Sequence, residues 1–485
     1  MGYRTACVID HPRDVVFAWH ERPGALRRLT PPWLPTRVDR EASSLREGTA
    51  VFAVPPGLRL RSHHLPGEYR AGEQFADALR LPGDVPVPWH HLHRFEDGPP
   101  GRTVLTDDID TPVPARLLDP SAAYRTRQLT ADLDLHAELD EFGRGPLTVG
   151  ITGTDRPVGE ALAALLSTGG HRVVHLVRSD TPPPPGAPGG PGGPITGPPD
   201  GTDRDDGAGA PGTVGTPWDD EGAEVRHWDP AHPDPALAEG LDALVHLANA
   251  PLVGRYVGAS LREGLRRYVD TTAALARVAG DAAFIHASTV GVYGVDSGEA
   301  PLSEDDPTGA DTLAEMVRRV EAAATQAPGR SVSVRLGVVV SARVGVLAWQ
   351  RPLVTAGVYS LQGPRRTWAS WIGLDDLVDV FARAVTDESL RGPVNAVSPH
   401  PVRRDEWLAT VAAAHGRASM VPLPVGFSRA LLGPERTRAA KGTRQRVEPA
   451  VLREAGHRFR FPLLADAMGH ELGVLDRPRV DLRTW

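Results

Sequence analysis

The sequence contains one cysteine, one lysine and no long apolar run, and each of these scarcities excludes a class of protein. Because Cys7 is the only cysteine among 485 residues, the chain can form neither an internal disulfide nor a multi-cysteine zinc site. No segment approaches the roughly 18 apolar residues of a membrane span, and the first residues lack the apolar core of a signal peptide. We therefore expect a cytoplasmic protein with no membrane segment.

The charge composition argues against a nucleic-acid partner. The formal net charge is -8, and Lys441 is the only lysine, so the basic residues are almost all arginine. They form no stripe with interleaved aromatic residues, which a nucleic-acid surface would need. The length predicts two to four domains, and a content of 41% hydrophobic and 24% charged residues is ordinary for a globular protein.

Residues 1–140 have the pattern of an α+β domain. Short alternating segments such as GLRLRSHH and RTVLTDDID indicate antiparallel strands, and YRTRQLTADLDLHAEL indicates a long helix. One face of that helix is predicted to point inward, with Leu135 and Leu139 on its flank. The inward residues, at spacings of three, four and seven, are Thr126, Leu129, Leu133, His136 and Ala137. A curved sheet wrapped on this helix accounts for the pattern.

Residues 146–400 repeat an apolar strand followed by a helix, which predicts an α/β, doubly wound parallel sheet. The strands are LTVGIT, VVHLV, DALVHLA, AAFIHAS and SVSVRLGVVV. Within this domain, residues 181–217 are rich in proline and glycine and have little to bury, so we expect a disordered insertion. Residues 401–485 are expected to form a C-terminal cap.

A glycine-containing turn, ITGTDRPVGE at 151–160, joins the first of these strands to a helix. A Rossmann turn has glycines where the backbone approaches a pyrophosphate, and the following helix offers its first N–H groups. Gly153 and Gly159 occupy two such positions, but Arg156 stands where the middle glycine belongs. Arg156 would either pair with a phosphate or fill its place, and the pattern leaves both interpretations open.

The end of the second strand bears on the choice of dinucleotide. An acidic residue there would bind the ribose 2′-hydroxyl of NAD(H), whereas an arginine suits the 2′-phosphate of NADP(H). Arg178 occupies the position and therefore favours NADP(H). The alternative is a solvated arginine at a strand end.

A set of motifs in fixed order gives most of the chain a family resemblance. The motifs are TGTDRPVG, WDP at 228–230, HLANAPLVGR at 246–255, STVGVYG at 288–294, SVRLGVVVS, RTWASWIGLDDLV at 366–378, GPVNAVSP at 392–399 and QRVEPAVLREAGHRFRFP at 445–462. Over residues 146–470 the chain resembles the YfcH-like epimerase family, an atypical branch of the extended short-chain dehydrogenase/reductases with its own C-terminal domain. The resemblance implies a Rossmann domain, NADP(H) as cofactor and a small-molecule substrate that it does not identify.

Residues 3–138 resemble the START-like (SRPBCC) superfamily. The likeness is carried by VIDHPRDVVFAWHERPGALRRLTPPW, by WHHLHRFEDG and by the helix YRTRQLTADL. It implies a helix-grip fold with an apolar pocket beneath the long helix, and therefore a hydrophobic ligand in the N-terminal domain. The expected architecture is a START-like α+β domain followed by a Rossmann domain.

The catalytic pair of the short-chain dehydrogenases is missing. Those enzymes place a tyrosine and a lysine four residues apart on one helix face, but the helix here reads DTLAEMVRRVEAAA. By resemblance, Ser288 would contact the substrate and Glu321 matches an acidic position that could act as acid or base. Tyr293 could donate a proton, although no cation is evident to lower its reference pKa of roughly 10. The alternatives are a strand-end cap for Ser288, a packing role for Tyr293 and a solvated helix face for Glu321.

The resemblance assigns cofactor contacts to Gly153, Thr154, Arg156, Val158, Gly159, Arg178, Leu247, Ala248 and Asn249. Asn249 replaces a family glycine beside the cofactor, as Arg156 replaces one in the turn. A side chain at such a position displaces either the ligand or the backbone. The two replacements predict weak or altered NADP(H) binding.

A histidine-rich segment raises the question of a metal. The segment contains His90, His91 and His93, and His63 and His64 are possible further ligands. On a strand, His91 and His93 share one face. No nearby carboxylate and histidine set of recognised spacing completes a site. No metal site is predicted, and a polar pocket lining or a surface position is the favoured interpretation.

Three hypotheses on function stay open at this point. The chain is an NADP(H)-dependent oxidoreductase or epimerase, a non-catalytic protein that senses a nucleotide, or a carrier that uses chiefly its N-terminal pocket. The sequence indicates no oligomeric state.

Overall fold

The computed structural model describes residues 2–178, 223–247, 259–295, 298–348, 354, 356–359, 366–417, 421–422 and 444–475. The expected insertion at 181–217 and Lys441 lie outside these residues, as do two of the expected cofactor contacts, Ala248 and Asn249. Among the helices that are described, none has both the length and the apolar character needed to cross a bilayer.

The first 140 residues form an antiparallel seven-stranded sheet with a long helix after its last strand. The strand order is β1-β7-β6-β5-β4-β3-β2. The elements are β1 Gly2–Ile9, α1 Arg13–Glu21, α2 Ala25–Leu29, β2 Arg37–Arg40, β3 Thr49–Val54, β4 Leu58–His64, β5 Gln74–Leu81, β6 Val85–Asp97, β7 Thr103–Asp110 and α3 Ala115–Asp140. The predicted strands and helix are therefore present, and the helix begins nine residues before the predicted YRTRQL segment.

Helix α3 packs on two different hydrophobic cores. Leu129 and Leu133 join the core of the antiparallel sheet, whereas Leu135 and Leu139 join the main core of the following sheet. The expected inward face is corrected at Ala137, which is exposed. The C-terminal turns of the helix pack against the second sheet. Leu135 and Leu139, which were expected on the flank of the inward face, are therefore buried.

The second sheet is parallel throughout, as expected for a doubly wound fold. Its order is β10-β9-β8-β11-β12-β13-β18, and every neighbouring pair is parallel. Its strands and helices up to β13 are β8 Thr148–Thr152, α4 Pro157–Thr168, β9 Arg172–Arg178, β10 Glu224–Trp228, β11 Ala243–His246, α5 Ala259–Val278, β12 Ala283–Thr289, α6 Thr312–Ala324 and β13 Ser331–Leu336. Alternate residues of β11 and β12 enter separate cores on the two faces.

The remaining elements extend and cover this sheet. They are β14 Val338–Val340, β15 Val358–Tyr359, β16 Trp368–Ala369, β17 Trp371–Gly373, α7 Leu374–Thr386, β18 Gly392–Ala396, β19 Val402–Arg403, α8 Arg404–Ala414, β20 Val421–Pro422, α9 Ala450–Glu454 and α10 Leu464–Leu472. Residues of α8 and α10 share a smaller core with β14 and β17. The short helix expected near DEWLATVAAA is α8.

A buried set of charges joins the two sheets, and we call it the charged cluster: Arg28, Asp132, Asp375, Asp379 and Arg460. The Arg28 guanidinium donates to both oxygens of Asp132 on α3, at 2.8 and 2.7 Å. Arg460 bridges Asp132, at 2.8 Å, and Asp379, at 2.5 and 2.6 Å. All five side chains are at most 8% exposed. Each buried carboxylate thus has an arginine partner, as burial of a charge requires.

Candidate functional site

The glycine turn keeps the backbone geometry of a dinucleotide-binding loop. Gly153 has a φ of +74°, which favours glycine. A Cβ at position 159 would lie 2.7 Å from the carbonyl carbon of Gly153, so the helix start and the turn can approach only without a side chain there. Thr154 is buried between them, at 2% exposure. Both glycines identified in the sequence therefore have a steric reason to be glycine.

Arg156 does not occupy the turn. Its backbone caps α4 in an extended conformation, with a φ of -113° and a ψ of 152° that any residue adopts. The Arg156 N–H donates to the Gly153 carbonyl at 3.1 Å, whereas the side chain is 78% exposed and its Nε lies 3.8 Å from Asp155. The guanidinium is therefore not buried in the turn, and the two interpretations of Arg156 stay predictions.

The neighbouring strand ends lie at the same edge of the sheet. Thr152 ends β8, and its hydroxyl lies 2.9 Å from His246 Nδ1 and accepts the Leu247 N–H at 3.1 Å. Arg178 ends β9 at an exposed position opposite Trp228 of β10. Carboxyl ends of parallel strands are where open α/β sheets bind ligands. Val158 and Leu247 are both half-buried against the main core.

The three expected catalytic residues meet in one hydrogen-bonded network. The Ser288 hydroxyl donates to Glu321 Oε1 at 2.6 Å, and Arg335 donates to both Glu321 oxygens at 2.9 Å. The remaining guanidinium nitrogen of Arg335 lies 2.9 Å from the Tyr293 hydroxyl. We call Ser288, Glu321, Arg335 and Tyr293 the serine–glutamate network. Glu321 is 14% exposed, so the solvated helix face is wrong as an interpretation.

Sheet register explains why these residues meet. Ser288 of β12 is the in-register neighbour of Arg335 on β13, which is in turn the neighbour of Asn395 on β18. The Tyr293 hydroxyl lies 2.9 Å from Asn395 Oδ1 and 2.8 Å from the Ser303 carbonyl oxygen, one of which takes its proton. Three adjacent strands therefore each carry a polar side chain at the position before their last residue. Glu321 reaches them from α6, in the helix that the sequence showed to lack the tyrosine and lysine.

The expectation that Tyr293 has no cation is wrong, because Arg335 supplies one. Burial nevertheless raises the pKa of Tyr293 above its ordinary value, and the contact with Arg335 opposes that effect without reversing it. Burial acts to lower the pKa of Arg335, but Glu321 and Tyr293 hold the pKa above its usual value. At neutral pH, Tyr293 is protonated and Arg335 is charged. Sequence reasoning missed Arg335 and Asn395, although a charged residue in the apolar strand SVSVRLGVVV was a signal.

The histidine segment separates into an outer and an inner part. The His90 side chain points outward, and its Nε2 lies 2.9 Å from Glu68. His91 and His93 are buried, at 3% and 2% exposure. Linear spacing offers no carboxylate to complete a set, but Asp77 and Asp107, on the two neighbouring strands, face these histidines. Pairing across a sheet joins residues that no linear spacing connects.

Comparison with known proteins places the chain among epimerase-like proteins. No protein-family model matches the sequence. An epimerase family protein of Mycobacterium bovis is 33% identical over 257 residues, which are 51% of this chain and 85% of that protein. An epimerase family protein of Mycobacterium leprae is 30% identical over 331 residues, covering 66% of this chain and 94% of the relative.

Two solved structures extend the comparison. A nucleoside-diphosphate sugar epimerase from Corynebacterium glutamicum is 33% identical with a TM-score of 0.76, and the likeness covers 97% of this chain and 90% of that one. With that coverage, it includes both sheets. The human epimerase family protein SDR39U1, crystallised with NADPH, shares the fold at 24% identity and a TM-score of 0.51, over 68% of this chain and 100% of that chain.

Proposed function

The chain belongs to the epimerase family, and from that premise we propose that it is an NADP(H)-binding epimerase or oxidoreductase that acts on a small molecule. The observation that carries the proposal is the turn between β8 and α4, where Gly153 and Gly159 keep the close backbone approach and the Arg156 side chain is 78% exposed. The substrate class, a nucleotide sugar by analogy with the Corynebacterium relative, is part of the proposal.

The residues at the turn fit a dinucleotide. Backbone N–H groups at Val158 and Gly159, in the first turn of α4, lack acceptors within the helix and suit a diphosphate. Arg156 and Arg178 would add positive charge beside the diphosphate and at the 2′-phosphate respectively. The NADPH of the human relative supports this cofactor class. When bound, the cofactor would supply the hydride donor or acceptor, and Ala248 and Asn249 stay predicted contacts outside the described residues.

The serine–glutamate network is suited to accept a proton. Glu321 accepts two hydrogen bonds from Arg335 and one from Ser288. A substrate hydroxyl that donates to Ser288 would pass its proton to the serine oxygen while the serine proton moves to Glu321. In this proposal Ser288 relays the proton and Glu321 is the base. Tyr293, whose hydroxyl already contacts three protein groups, positions Arg335.

A second function class is supported by one observation. Helix α6 carries neither a tyrosine nor a lysine, so the usual proton donor of the short-chain dehydrogenases is missing. A degenerate Rossmann protein that senses a nucleotide without catalysis would need only the glycine turn. We further propose that residues 1–140 are a START-like domain for a hydrophobic ligand, that 146–400 form the Rossmann domain and that 401–485 form a cap.

Titration of the purified chain with NADPH and NADH tests the cofactor proposal. Fluorescence of the 10 tryptophans should change saturably with NADPH and much less with NADH. Gly159→Ala should weaken NADPH binding at least tenfold, about 1.4 kcal/mol, because the new methyl group meets the Gly153 carbonyl. Gly67→Ala is the matched control, since a Cβ there has nothing within 4 Å. Equal NADPH affinity of the two variants would exclude this turn as the site.

Hydride transfer separates the two function classes. Oxidation of NADPH, or an exchange of substrate stereochemistry, is followed with a panel of nucleotide sugars and simple carbonyl compounds. Glu321→Gln should remove the turnover and leave NADPH binding in place, because it removes the base and not the cofactor contacts. NADPH binding with no turnover on any substrate would favour the sensor.

A further inference from the structure

Four polar residues form a cluster on one face of the N-terminal sheet, and we call it the histidine–aspartate cluster: Asp77, His91, His93 and Asp107. His91 and His93 are two residues apart on β6 and therefore share a face. Asp77 on β5 is the cross-strand neighbour of His91, and Asp107 on β7 is the cross-strand neighbour of His93. The sheet itself thus brings two imidazoles between two carboxylates.

The two rings present one nitrogen each to the same oxygen of Asp77. His91 Nδ1 lies 3.9 Å from Asp77 Oδ2, and His93 Nε2 lies 4.0 Å from it. The other oxygen, Oδ1, accepts a hydrogen bond from Ser62 at 2.6 Å, which fixes the carboxylate and turns Oδ2 to the histidines. Metal–ligand bonds of about 2.0–2.2 Å to nitrogen and oxygen can bridge such separations. Among the described residues, Asp77, His91 and His93 are the set that could share an ion.

Asp107 stands on the opposite side of the two rings. Its Oδ1 lies 2.5 Å from His93 Nδ1 and 3.3 Å from His91 Nε2. A carboxylate in this place is the usual partner of the second ring nitrogen of a metal-bound histidine. The Asp107 contact and the Asp77 contact engage different nitrogens of each ring, as such an arrangement requires.

The cluster is not satisfied by hydrogen bonds among the described residues. His91 Nε2, His93 Nδ1 and Asp107 Oδ1 are buried, and their close approaches lack the angles of regular hydrogen bonds. All three atoms lie on the Asp107 side of the rings, so they concern the positioning contact and not the atoms that face Asp77.

We propose that Asp77, His91 and His93 bind one divalent transition-metal ion, with Asp107 as the positioning residue. Two imidazole nitrogens and one carboxylate oxygen suit Zn²⁺, Fe²⁺ or Co²⁺ rather than Mg²⁺ or Ca²⁺, which take oxygen ligands. Three protein ligands leave a coordination position open to water or a ligand. The site lies in the N-terminal sheet and is independent of the proposed nucleotide site.

Co²⁺ titration of the tag-free, metal-depleted full-length chain tests the proposal. We expect one equivalent of Co²⁺ to bind with visible d–d absorption bands, and Zn²⁺ to displace it. His91→Gln, His93→Gln and Asp77→Asn should each weaken binding at least tenfold, and Asp107→Asn should weaken it less while shifting the bands. His90→Gln is the matched control, because His90 lies on the same strand and contacts Glu68 instead.

A measurement on the wild-type chain removes dependence on the folding of variants. X-ray absorption spectroscopy of the Zn²⁺-loaded wild-type chain should show two imidazole ligands, with oxygen ligands in the remaining positions. Absence of equimolar metal binding would overturn the proposal. So would a Zn²⁺ spectrum without imidazole ligands, or Co²⁺ binding that is unchanged in the folded His91→Gln and His93→Gln variants.

Discussion

Replacement of Arg460 by methionine should test how much the charged cluster stabilises the joint between the two sheets. The Arg460 guanidinium is 7% exposed and contacts Asp132 at 2.8 Å and Asp379 at 2.5 and 2.6 Å. Asp132 and Asp379 are 0% and 2% exposed. Removal of one partner from a buried ion pair leaves an uncompensated charge and costs about 3–5 kcal/mol. We expect Arg460→Met to lower the free energy of unfolding by that amount at pH 8.

The loss should depend on pH in a defined direction. Burial raises the pKa of Asp379 to about 6, with Arg460 acting against the rise. Without Arg460 the native pKa rises further, so the native state of the variant takes up a proton at higher pH than the unfolded chain does. The variant therefore regains stability relative to the wild type as the pH falls from 8 toward about 6, by at most about 1.4 kcal/mol per pH unit for this carboxyl; below that pH the wild-type Asp379 takes up a proton as well.

Urea unfolding of the variants, followed by tryptophan fluorescence and by circular dichroism, measures this loss. Arg453→Met is the control, because Arg453 is 62% exposed and lies 3.4 Å from Glu448, so its removal should cost at most about 0.5 kcal/mol. Asp379→Asn added to Arg460→Met should recover part of the loss, since it removes the orphaned charge. A wild-type-like free energy for Arg460→Met at pH 8 would refute the reasoning.

Three further predictions concern other buried groups. Burial and the nearby Asp375 raise the pKa of Glu471 to about 8. Protonated Glu471 therefore stabilises the native state below the pKa of the unfolded chain, and this stabilisation is lost as the pH rises to 8. Glu471→Gln should flatten the pH dependence of the unfolding free energy between about pH 4.5 and 8. Arg335→Met should lower the free energy of unfolding in urea by about 1.5–3 kcal/mol, because it removes two charged hydrogen bonds from the half-buried Glu321. Arg319→Met, at a site 67% exposed, should change this free energy by less than about 0.5 kcal/mol. Gly24→Ala should lower the midpoint of thermal unfolding more than Gly72→Ala does. Both glycines have positive φ, but only at position 24 would a Cβ lie 2.6 Å from Ala164 Cα, and equal costs would contradict that contact.

The sequence predicted the parallel sheet well because its strands are apolar on both faces. A strand that is buried on both faces has apolar residues at nearly every position, without polar alternation. A segment such as AAFIHAS can therefore be identified as a buried strand from its own sequence. Helix α3 was predicted in type but not fully in orientation. Ala137 is exposed while Leu135 and Leu139 are buried, because the helix contacts two sheets, and periodicity assumes one.

The candidate site was predicted only where the residues were close in the chain. Ser288 and Tyr293 share one motif, and Glu321 lies on the next helix, but Arg335 and Asn395 enter through the register of two further strands. Asp77 and Asp107 were missed for the same reason on the other sheet. Strand order decides these neighbours, and strand order depends on the whole chain.

The middle position of the glycine turn shows which of the three glycine positions of a Rossmann turn are required by the backbone itself. Gly153 needs a positive φ, and Gly159 needs room for the Gly153 carbonyl, so both are fixed by the chain itself. Arg156 has an extended backbone that any residue adopts, and a glycine there would serve only to leave space for a ligand. Since the Arg156 side chain is 78% exposed, that space need not be lost. The replacement therefore changes the charge beside the proposed diphosphate site and leaves the conformation of the turn unchanged.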